Sequence, residues 1–260
     1  SGGPKMFQLY IHKDKGLTDN LIDRCKRSGF KAMCLTVDTV VAGNRERDHR
    51  WGFTTPPKLT LKSLLSFATH PMWSINYLTH EKFQLANVSH FTKKGSSIAK
   101  GVMEYINEQY DPKMNWQDAE YCIKRWGGPF AIKGVMSVED AKRAVEIGAS
   151  AIMLSNHGGR QLDGSRSPFD QLPAIAEAVG GKLEIILDGG VRRGTHVLKA
   201  LSLGATACSF GKGYLFALGA GGQKGVEALL QRMHDEIRRD MILLGCKTIK
   251  DLKKTNIAYR

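Results

Sequence analysis

Short apolar runs recur along the 260-residue chain, and each is followed by a polar, often glycine-containing stretch. Runs of this length bounded by turn residues are typical of buried strands. Helical patterns lie between them, for example at 138–147 and 195–203. Alternating strands and helices with short connections predict a parallel sheet. The six predicted strands are FQLYI from Phe7, AMCLT ending at Thr36, FAIKGV from Phe130, AIMLS ending at Ser155, EIILDGG from Glu184, and TACSFG ending at Gly211.

Three of these units share one pattern, seen in SGFKAMCLT, IGASAIMLS and LGATACSFG. In each, a helical pattern ends at a glycine, at position 29, 148 or 204, and an apolar run follows. Glycine is favoured just after a helix because it adopts the left-handed conformation without strain. The pattern therefore predicts three repeats of a helix-to-strand unit, and a closing helix is predicted at about 222–244.

Six strand–helix units fit two architectures. One is a doubly wound sheet of six strands, and the other is part of a (β/α)8 TIM barrel. No GxGxxG turn follows any predicted strand, whereas polar residues follow all six. Active sites of barrels lie at this end of the strands. We therefore predict an α/β fold in which 1–260 is a single barrel domain lacking its N-terminal first two units.

The segment 43–115 interrupts the alternation with a long inserted loop. A connection of this length inside a compact domain is usually functional. Its middle combines many apolar residues with lysines, and Pro71 disfavours a membrane-spanning helix. Two interpretations remain open: a lid packed on the barrel or on another subunit, and an amphipathic surface resting on an anionic bilayer through 58–82.

The composition limits the classes of partner that the protein is expected to bind. The formal net charge is +13, which favours a negatively charged ligand or surface. The basic residues are dispersed, so no nucleic-acid partner is expected. The five cysteines include no CxxC spacing. We therefore expect a reducing compartment, without a disulfide framework or a metal site.

The stretch SNHGGRQLDG carries the strongest chemical signal, directly after a predicted strand. His157 is placed to act as a general base, because histidine exchanges protons near neutral pH. Arg160 can hold a carboxylate through two parallel hydrogen bonds. Gly158 and Gly159 let the backbone approach a ligand closely. The alternative is a simple turn with a solvated histidine.

Two other strand ends carry charged residues. Asp38 and Arg45 follow Thr36, and Asp38 is expected to pair with the histidine or, alternatively, to cap a local turn. Lys133 ends an apolar run, so it is expected to be partly buried opposite an anion. The alternative for this lysine is a side chain that extends to solvent.

The last two strand ends resemble a phosphate site. LDGGVRRG and FGKG follow what would be the seventh and eighth barrel strands, where barrels often bind phosphate. Gly189, Gly190 and Gly211 would expose backbone N–H groups, and Arg192 and Lys212 would add positive charge. Helix caps alone explain the glycines but not the neighbouring cations.

SNHGGRQLD resembles the active-site signature of the FMN-dependent L-2-hydroxy acid dehydrogenase/oxidase family. FQLY, LTVDT with NRERD, KGV, LDGGVRRG and ALSLGA also resemble that family in its order, so the resemblance covers nearly the whole chain. The resemblance implies FMN as cofactor. His157 would be the base and Asp38 its partner. Arg160, Arg45 and Tyr10 would bind the substrate. The cofactor-binding residues implied by the resemblance are Gln8, Thr36, Lys133, Ser155, Asp188, Gly189, Gly190, Arg192, Gly211 and Lys212.

The resemblance also assigns Lys133 a catalytic role beside the flavin ring. Two departures stand out: the family usually has arginine at position 212, and its first strands, which supply another substrate-binding tyrosine, have no counterpart here. The long segment is similar to that of membrane-associated members.

The resemblance implies oxidation of an L-2-hydroxy acid, such as lactate or mandelate, to the 2-oxo acid. Electrons would pass to quinone or another acceptor, or alternatively to oxygen. It also implies a homo-oligomer, expected to be a tetramer, in the cytoplasm or on the inner face of the cytoplasmic membrane. Two competing hypotheses are an inactive truncated barrel that only binds a partner, and a different phosphate-binding barrel such as an isomerase or aldolase.

Overall fold

A computed structural model of the protein describes residues 2–46, 50, 60–80, 87 and 110–258. Six strands form one parallel sheet in the order β1-β2-β3-β4-β5-β6. The strands are β1 (Met6–Leu9), β2 (Ala32–Thr36), β3 (Phe130–Val135), β4 (Ala151–Leu154), β5 (Glu184–Asp188) and β6 (Ala207–Ser209). All six predicted strands are therefore present, with small shifts at their ends.

Eight α-helices lie in the described part of the chain. They are α1 (Lys15–Arg27), α2 (Leu61–Thr69), α3 (Pro71–Thr79), α4 (Trp116–Trp126), α5 (Val138–Glu146), α6 (Pro168–Val179), α7 (Gly194–Ser202) and α8 (Lys212–Leu243). Two 3-10 turns follow, Ile249–Asp251 and Lys254–Asn256.

The strand order decides between the two architectures. A doubly wound sheet reverses its strand order at a switch point, and the two directions place helices on opposite faces. Here each strand pairs in parallel with the next one along the chain. Because such crossovers are right-handed, consecutive order places the connecting helices on one face, as in a barrel. The fold is a partial (β/α) barrel.

Alternation along each strand separates two faces. Met33, Leu35, Ile132 and Leu154 pack with the helices in the main core. The intervening residues face the other way, and a second buried cluster forms there from Cys34, Ala131 and Met153, with Ala151 and Ile186 against it. Continuing this inner row toward the carboxyl ends of the strands leads to Thr36, Lys133, Ser155 and Asp188. The period of two therefore places these polar side chains at the mouth of the curled sheet.

The predicted helix ends are confirmed at three glycines. Gly29, Gly148 and Gly204 have φ of 69°, 83° and 101°, as expected for left-handed residues after a helix. The closing helix differs from its prediction because it begins at Lys212 rather than near 222. Its two helical stretches meet at Gly221 and Gly222, whose backbone angles are not helical. This glycine pair made the earlier stretch resemble a loop.

The connection between β2 and β3 spans the predicted insertion, and much of it lies outside the described residues. Its described stretch 60–80 forms α2 and α3, which are joined at His70. Large apolar side chains on both helices are exposed; Met72 and Leu78, for example, are 80% and 79% exposed. Phe67, Trp73 and Tyr77 stack in a row with ring centroids 5.3 and 5.2 Å apart. No helix of the described chain is long and apolar enough to span a membrane.

His12 gives the fold a measurable pH dependence. It is buried just after β1, and its Nδ1 has no hydrogen-bond partner among the residues that the structure describes. Burial lowers the pKa of this imidazole below its ordinary value of 6.5, despite the opposing charge of Asp14. The unfolded chain therefore binds the proton more readily than the folded one. Above about pH 6.5, protonation of His12 does not lower the free energy of unfolding. Below that pH, the free energy of unfolding falls as the pH drops toward the lowered pKa of the folded protein.

Replacing His12 with glutamine removes this titration. We expect the free energy of unfolding in urea to fall less between pH 7.5 and pH 5 in His12→Gln than in the wild type. His80→Gln, which removes an exposed imidazole, is the control and should keep the wild-type dependence. Equal losses in the wild type and His12→Gln would contradict the assignment.

Candidate active site

His157 and Asp38 meet at the mouth of the curled sheet. Asp38 follows β2 and His157 follows β4, so the two loops extend from the same end of the sheet. The histidine Nδ1 lies 3.3 Å from each carboxylate oxygen. This geometry assigns the Nδ1 hydrogen to the carboxylate side and leaves Nε2 as the proton acceptor. The predicted pairing of these two residues is present in the structure.

The loop that carries His157 has an unusual backbone. His157 itself has a φ of 57°, and Gly158 and Gly159 continue in the left-handed region at 68° and 71°. Such a conformation persists in a non-glycine residue only when its surroundings fix it. Here the His157 N–H donates to the buried Ser155 hydroxyl at 3.1 Å, and the Gly159 N–H donates to the Asn156 carbonyl at 3.0 Å.

Gln161 joins this loop to the one after β2. Its side-chain amide donates to the carbonyls of Asp38 and Val41, both at 3.1 Å. A β-carbon at Gly43 would overlap the carbonyl of Arg160, so the two loops touch at their backbones. The segments that carry Arg160 and Arg45 are thereby held together. Within the described chain, neither arginine has an ion-pair partner.

A compact buried cluster lies next to the histidine. The Lys133 ammonium donates to Asp188 Oδ2 at 2.6 Å and to Ser155 Oγ at 2.7 Å, and Ser155 Oγ donates to the same carboxylate oxygen at 2.7 Å. The lysine and aspartate side chains are only 9% and 13% exposed. Burial alone would raise the pKa of Asp188, but the hydrogen bond and charge of Lys133 outweigh it and lower that pKa. The buried lysine expected from the sequence thus has its anion.

Gly134 allows β3 to fit against Asp38. The register between β3 and β4 shifts between Lys133 and Val135, and Gly134 has a φ of 106°. A β-carbon at Gly134 would lie 2.8 Å from Asp38 Cβ and 3.0 Å from its backbone nitrogen. The bulge therefore brings the carboxylate next to the strand that carries Lys133.

Gly134→Ala should be destabilising for two reasons, the positive φ and the overlap with Asp38. Gly148→Ala is the matched control, because Gly148 has a φ of 83° and open space around the added methyl group. The backbone term alone costs about 1–2 kcal/mol. We expect Gly134→Ala to lose at least about 1 kcal/mol more than the control in urea unfolding, and to lower turnover. Equal losses would show that Asp38 does not depend on this contact.

Tyr10 lies beside the pair, after β1. Its hydroxyl accepts a hydrogen bond from Gln8 at 2.6 Å, and its ring meets that of Tyr110 edge-on at 6.2 Å. Burial raises the pKa of Tyr10, and Tyr110 and Asp38 raise it further. The phenol therefore stays protonated and is available as a hydrogen-bond donor. The buried Thr36 hydroxyl lies beside the Tyr10 hydroxyl, and among the described residues it has no partner with good hydrogen-bond geometry.

The expected phosphate site consists of two loops. Gly189 and Gly190 have φ of 91° and 71°, and the exposed Arg192 follows them. Helix α8 begins directly after Gly211, where an added methyl group would meet no atom within 4 Å. The Lys212 ammonium donates to the Gly158 carbonyl at 3.1 Å. It thereby also links this site to the histidine loop.

Comparison with known proteins identifies the family. A family model described as FMN-dependent dehydrogenase matches residues 1–259.

The chain belongs to the FMN-dependent dehydrogenase family.

Named members are similar over most of this chain. An L-lactate oxidase of Nostoc sp. (strain PCC 7120 / SAG 25.82 / UTEX 2576) is 43% identical over 246 residues, which are 95% of this chain and 62% of the relative. An L-lactate dehydrogenase of Serratia proteamaculans (strain 568) is 40% identical over 98% of this chain and 67% of the relative. The crystal structure of the monotopic membrane protein (S)-mandelate dehydrogenase superposes with a TM-score of 0.93 at 32% identity, covering 99% of this chain and 68% of that one. The chain thus spans about two thirds of the length of these family members.

The residues present fit the cofactor for which the family is named. FMN carries a dianionic phosphate, which suits the open N-terminus of α8 together with Arg192 and Lys212. The Thr36 hydroxyl, which lacks a well-aligned partner in the described chain, offers a hydrogen bond to a polar ring atom. The buried ammonium of Lys133 supplies positive charge at the end of the inner row. FMN is therefore the cofactor of this family site.

Three residues contribute to the site of this family member although sequence reasoning assigned them no role. Gly134 stood inside a predicted strand, where glycine often marks a bulge. Gln161 stood inside the histidine motif, without a signal for its contact with Asp38. Glu236 lies on α8 and reaches the start of α7. A buried carboxylate 42 residues away from its partner leaves no local sequence signal.

Proposed function

We propose that the protein oxidises an L-2-hydroxy acid to the corresponding 2-oxo acid with FMN as its cofactor. One observation carries the proposal: a His157–Asp38 pair, with Nε2 free, next to two loops whose arginines have no acidic partner in the described chain. A base beside carboxylate-binding groups is what this reaction needs. An isomerase or aldolase would not require that arrangement, and the family shown here is a dehydrogenase family.

Substrate binding is assigned to the two arginines and Tyr10. Arg160 and Arg45 would hold the carboxylate, because guanidinium groups match its geometry through paired hydrogen bonds. Their loops are fixed to one another through Gln161 and Gly43. The protonated Tyr10 would donate a further hydrogen bond. These contacts orient the α-carbon before reaction.

Proton removal is assigned to His157. Its Nε2 would accept one proton from the substrate, and the facing carboxylate of Asp38 would stabilise the imidazolium that results. Bound FMN supplies the redox chemistry by accepting two electrons from each substrate molecule. Lys133, held by Asp188 and Ser155, would favour negative charge close to the cofactor.

A panel of hydroxy acids tests the proposal. Purified protein reconstituted with FMN is mixed anaerobically with the L and D forms of lactate, mandelate and longer 2-hydroxy acids, and flavin absorbance is followed. We expect bleaching with at least one L form and a much slower response with its D form. A flavin that binds and stays oxidised with every acid would refute the proposed activity and favour a binding module.

We further propose that α2 and α3 rest on an anionic membrane and that a membrane quinone accepts the electrons. The exposed apolar side chains of the two helices support this, and so does the similarity to a relative described as a monotopic membrane protein. Oxygen is the alternative acceptor, since another relative is named L-lactate oxidase. Parallel assays of oxygen uptake and of reduction of a soluble quinone separate the two.

Membrane contact can be tested on two exposed leucines, Leu65 and Leu78, which are 61% and 79% exposed. Burying a leucine contributes about 1.5 kcal/mol or more, so Leu65→Glu/Leu78→Glu should weaken binding to phosphatidylglycerol vesicles by about 100-fold. Ile249→Glu changes a similarly exposed residue away from these helices and should bind normally. Unchanged vesicle binding with altered turnover or oligomeric state would instead indicate a lid or a subunit contact.

We also propose a homo-tetramer on the cytoplasmic face of the membrane. Exposed apolar residues near the start of α8, Tyr214, Leu215 and Phe216, support association with another polypeptide. Five free cysteines are typical of a reducing compartment. Light scattering of the purified holoprotein measures the assembly, and a monomer at micromolar concentration would contradict it.

A further inference from the structure

Two adjacent arginines precede α7, and the structure gives them different surroundings. Arg193 pairs with Glu236 Oε1 at 2.9 Å, whereas the side chain of Arg192 is exposed and has no partner in the described chain. From the sequence, Arg192 is assigned to the phosphate, but no partner is predicted for Arg193. The difference is due to Glu236 on α8, which binds Arg193 but not Arg192.

Glu236 is a buried carboxylate with three donors. Its Oε2 accepts the backbone N–H of Gly194 at 2.8 Å, and its Oε1 accepts Arg193 at 2.9 Å and Arg232 at 3.3 Å. Its side chain is 8% exposed, although those of Arg193 and Arg232 are 54% and 64% exposed. Removing this carboxylate would leave its hydrogen-bond donors without an acceptor, which would lower the stability of the folded protein.

The contact also fixes α7 against α8. Arg193, the residue before α7, provides no side-chain cap, so Glu236 satisfies the first N–H of this helix instead. A β-carbon at Gly194 would lie 2.7 Å from the Glu236 β-carbon and from the Met233 carbonyl. The N-terminus of α7 is thus capped by Glu236, whereas in the described chain the N-terminus of α8 has no side-chain cap and has free space beside Gly211.

We infer that Glu236 is the positioning residue of the phosphate site. It holds Arg193 and the start of α7 in place, so that the neighbouring Arg192 points its free guanidinium toward the phosphate that α8 receives at Gly211. Gly211 precedes the first stretch of α8, and Glu236 lies on the second stretch, after Gly221 and Gly222, where it fixes the start of α7 against α8. The inference rests on the proposed binding of FMN through these loops.

Comparing the binding of FMN with that of riboflavin separates this role from a general effect on stability. They share the flavin ring, and only FMN has the phosphate. In apoprotein titrations followed by flavin fluorescence, the ratio of the two dissociation constants measures the phosphate site alone. We expect Glu236→Gln to reduce the preference for FMN at least tenfold, with riboflavin affinity within about twofold of wild type.

Asp235→Asn is the matched control, because it removes one negative charge from the adjacent, 65% exposed position. It should leave the preference unchanged. If the carboxylate of Glu236 acted only through its charge, its removal would tighten FMN binding instead. That outcome would overturn the inference, and so would an equal weakening of FMN and riboflavin, which indicates a structural role only.

Arg193→Met keeps the inference testable if Glu236→Gln does not fold, since this arginine is half exposed. It should also reduce the FMN preference. Because both changes break the same ion pair, the double variant should lose no more FMN preference than the single variant with the larger loss. Additive losses, or a normal preference in Arg193→Met, would overturn the inference. A wild-type protein without preference for FMN would overturn the proposed function as well, whereas a normal preference in Glu236→Gln would overturn this inference alone.

Discussion

Replacing His157 is expected to lower kcat by about 100- to 10,000-fold, the range that general-base catalysis contributes. The pairing of Nδ1 with Asp38 leaves Nε2 as the acceptor of the substrate proton. An amide side chain fills a similar space but cannot take up that proton. Steady-state kinetics with the best L-2-hydroxy acid measure the change, and FMN titration should give an affinity within about twofold of wild type.

The backbone at this position calls for two variants. His157 has a φ of 57°, and asparagine tolerates this region better than glutamine. His157→Asn and His157→Gln should therefore lose turnover to a similar extent, while Gln loses more stability. His234→Gln, on the exposed surface of α8, is the control. Normal turnover in His157→Asn would show that loop conformation, rather than proton transfer, accounts for any loss in His157→Gln.

Removing the ammonium of Lys133 is expected to have the largest effect on stability. Lys133→Met leaves the carboxylate of Asp188 buried without its cation, and breaking a buried pair in this way costs about 3 kcal/mol. Urea unfolding at pH 7 measures the loss, and weaker FMN binding should accompany it. Lys182→Met, at an exposed position, should change stability by less than about 0.5 kcal/mol.

The pH dependence identifies the cause of that loss. In the wild type, Lys133 lowers the pKa of Asp188, so its contribution is present above the ordinary value of 3.8 and disappears as pH falls through the lowered pKa. In Lys133→Met, burial raises the pKa of the carboxyl and only the hydrogen bonds of Ser155 and Ser209 still oppose it. The stability difference between wild type and variant should therefore shrink between pH 7 and pH 4.5. Adding Asp188→Asn to the variant should recover part of the loss, and no recovery would contradict the ion-pair account.

Local patterns predicted the strands and the strand-end residues well, because these depend on signals within a few residues. Apolar runs located all six strands, and three glycines located helix ends. The pairing of His157 with Asp38 followed from a general rule, that strand ends of a parallel sheet meet at one edge. Its exact partner atoms did not.

Other contacts between distant residues could not be predicted from the sequence. Lys133 and Asp188 are 55 positions apart, and Gly194 and Glu236 are 42 positions apart. Nothing local marks such partners, since each depends on how helices and strands pack. The beginning of α8 was also missed, because its central glycines resemble a loop. The sequence also did not indicate that Glu236 is the partner of Arg193.

A crystal structure of the holoprotein with a bound 2-oxo acid tests the central claim most directly. The account predicts the FMN phosphate between Arg192 and the N-terminus of α8, and the acid's carboxylate within hydrogen-bond distance of Arg160 and Arg45. His157 Nε2 should face the α-carbon. A phosphate bound elsewhere, or a carboxylate that touches neither arginine, would contradict the account.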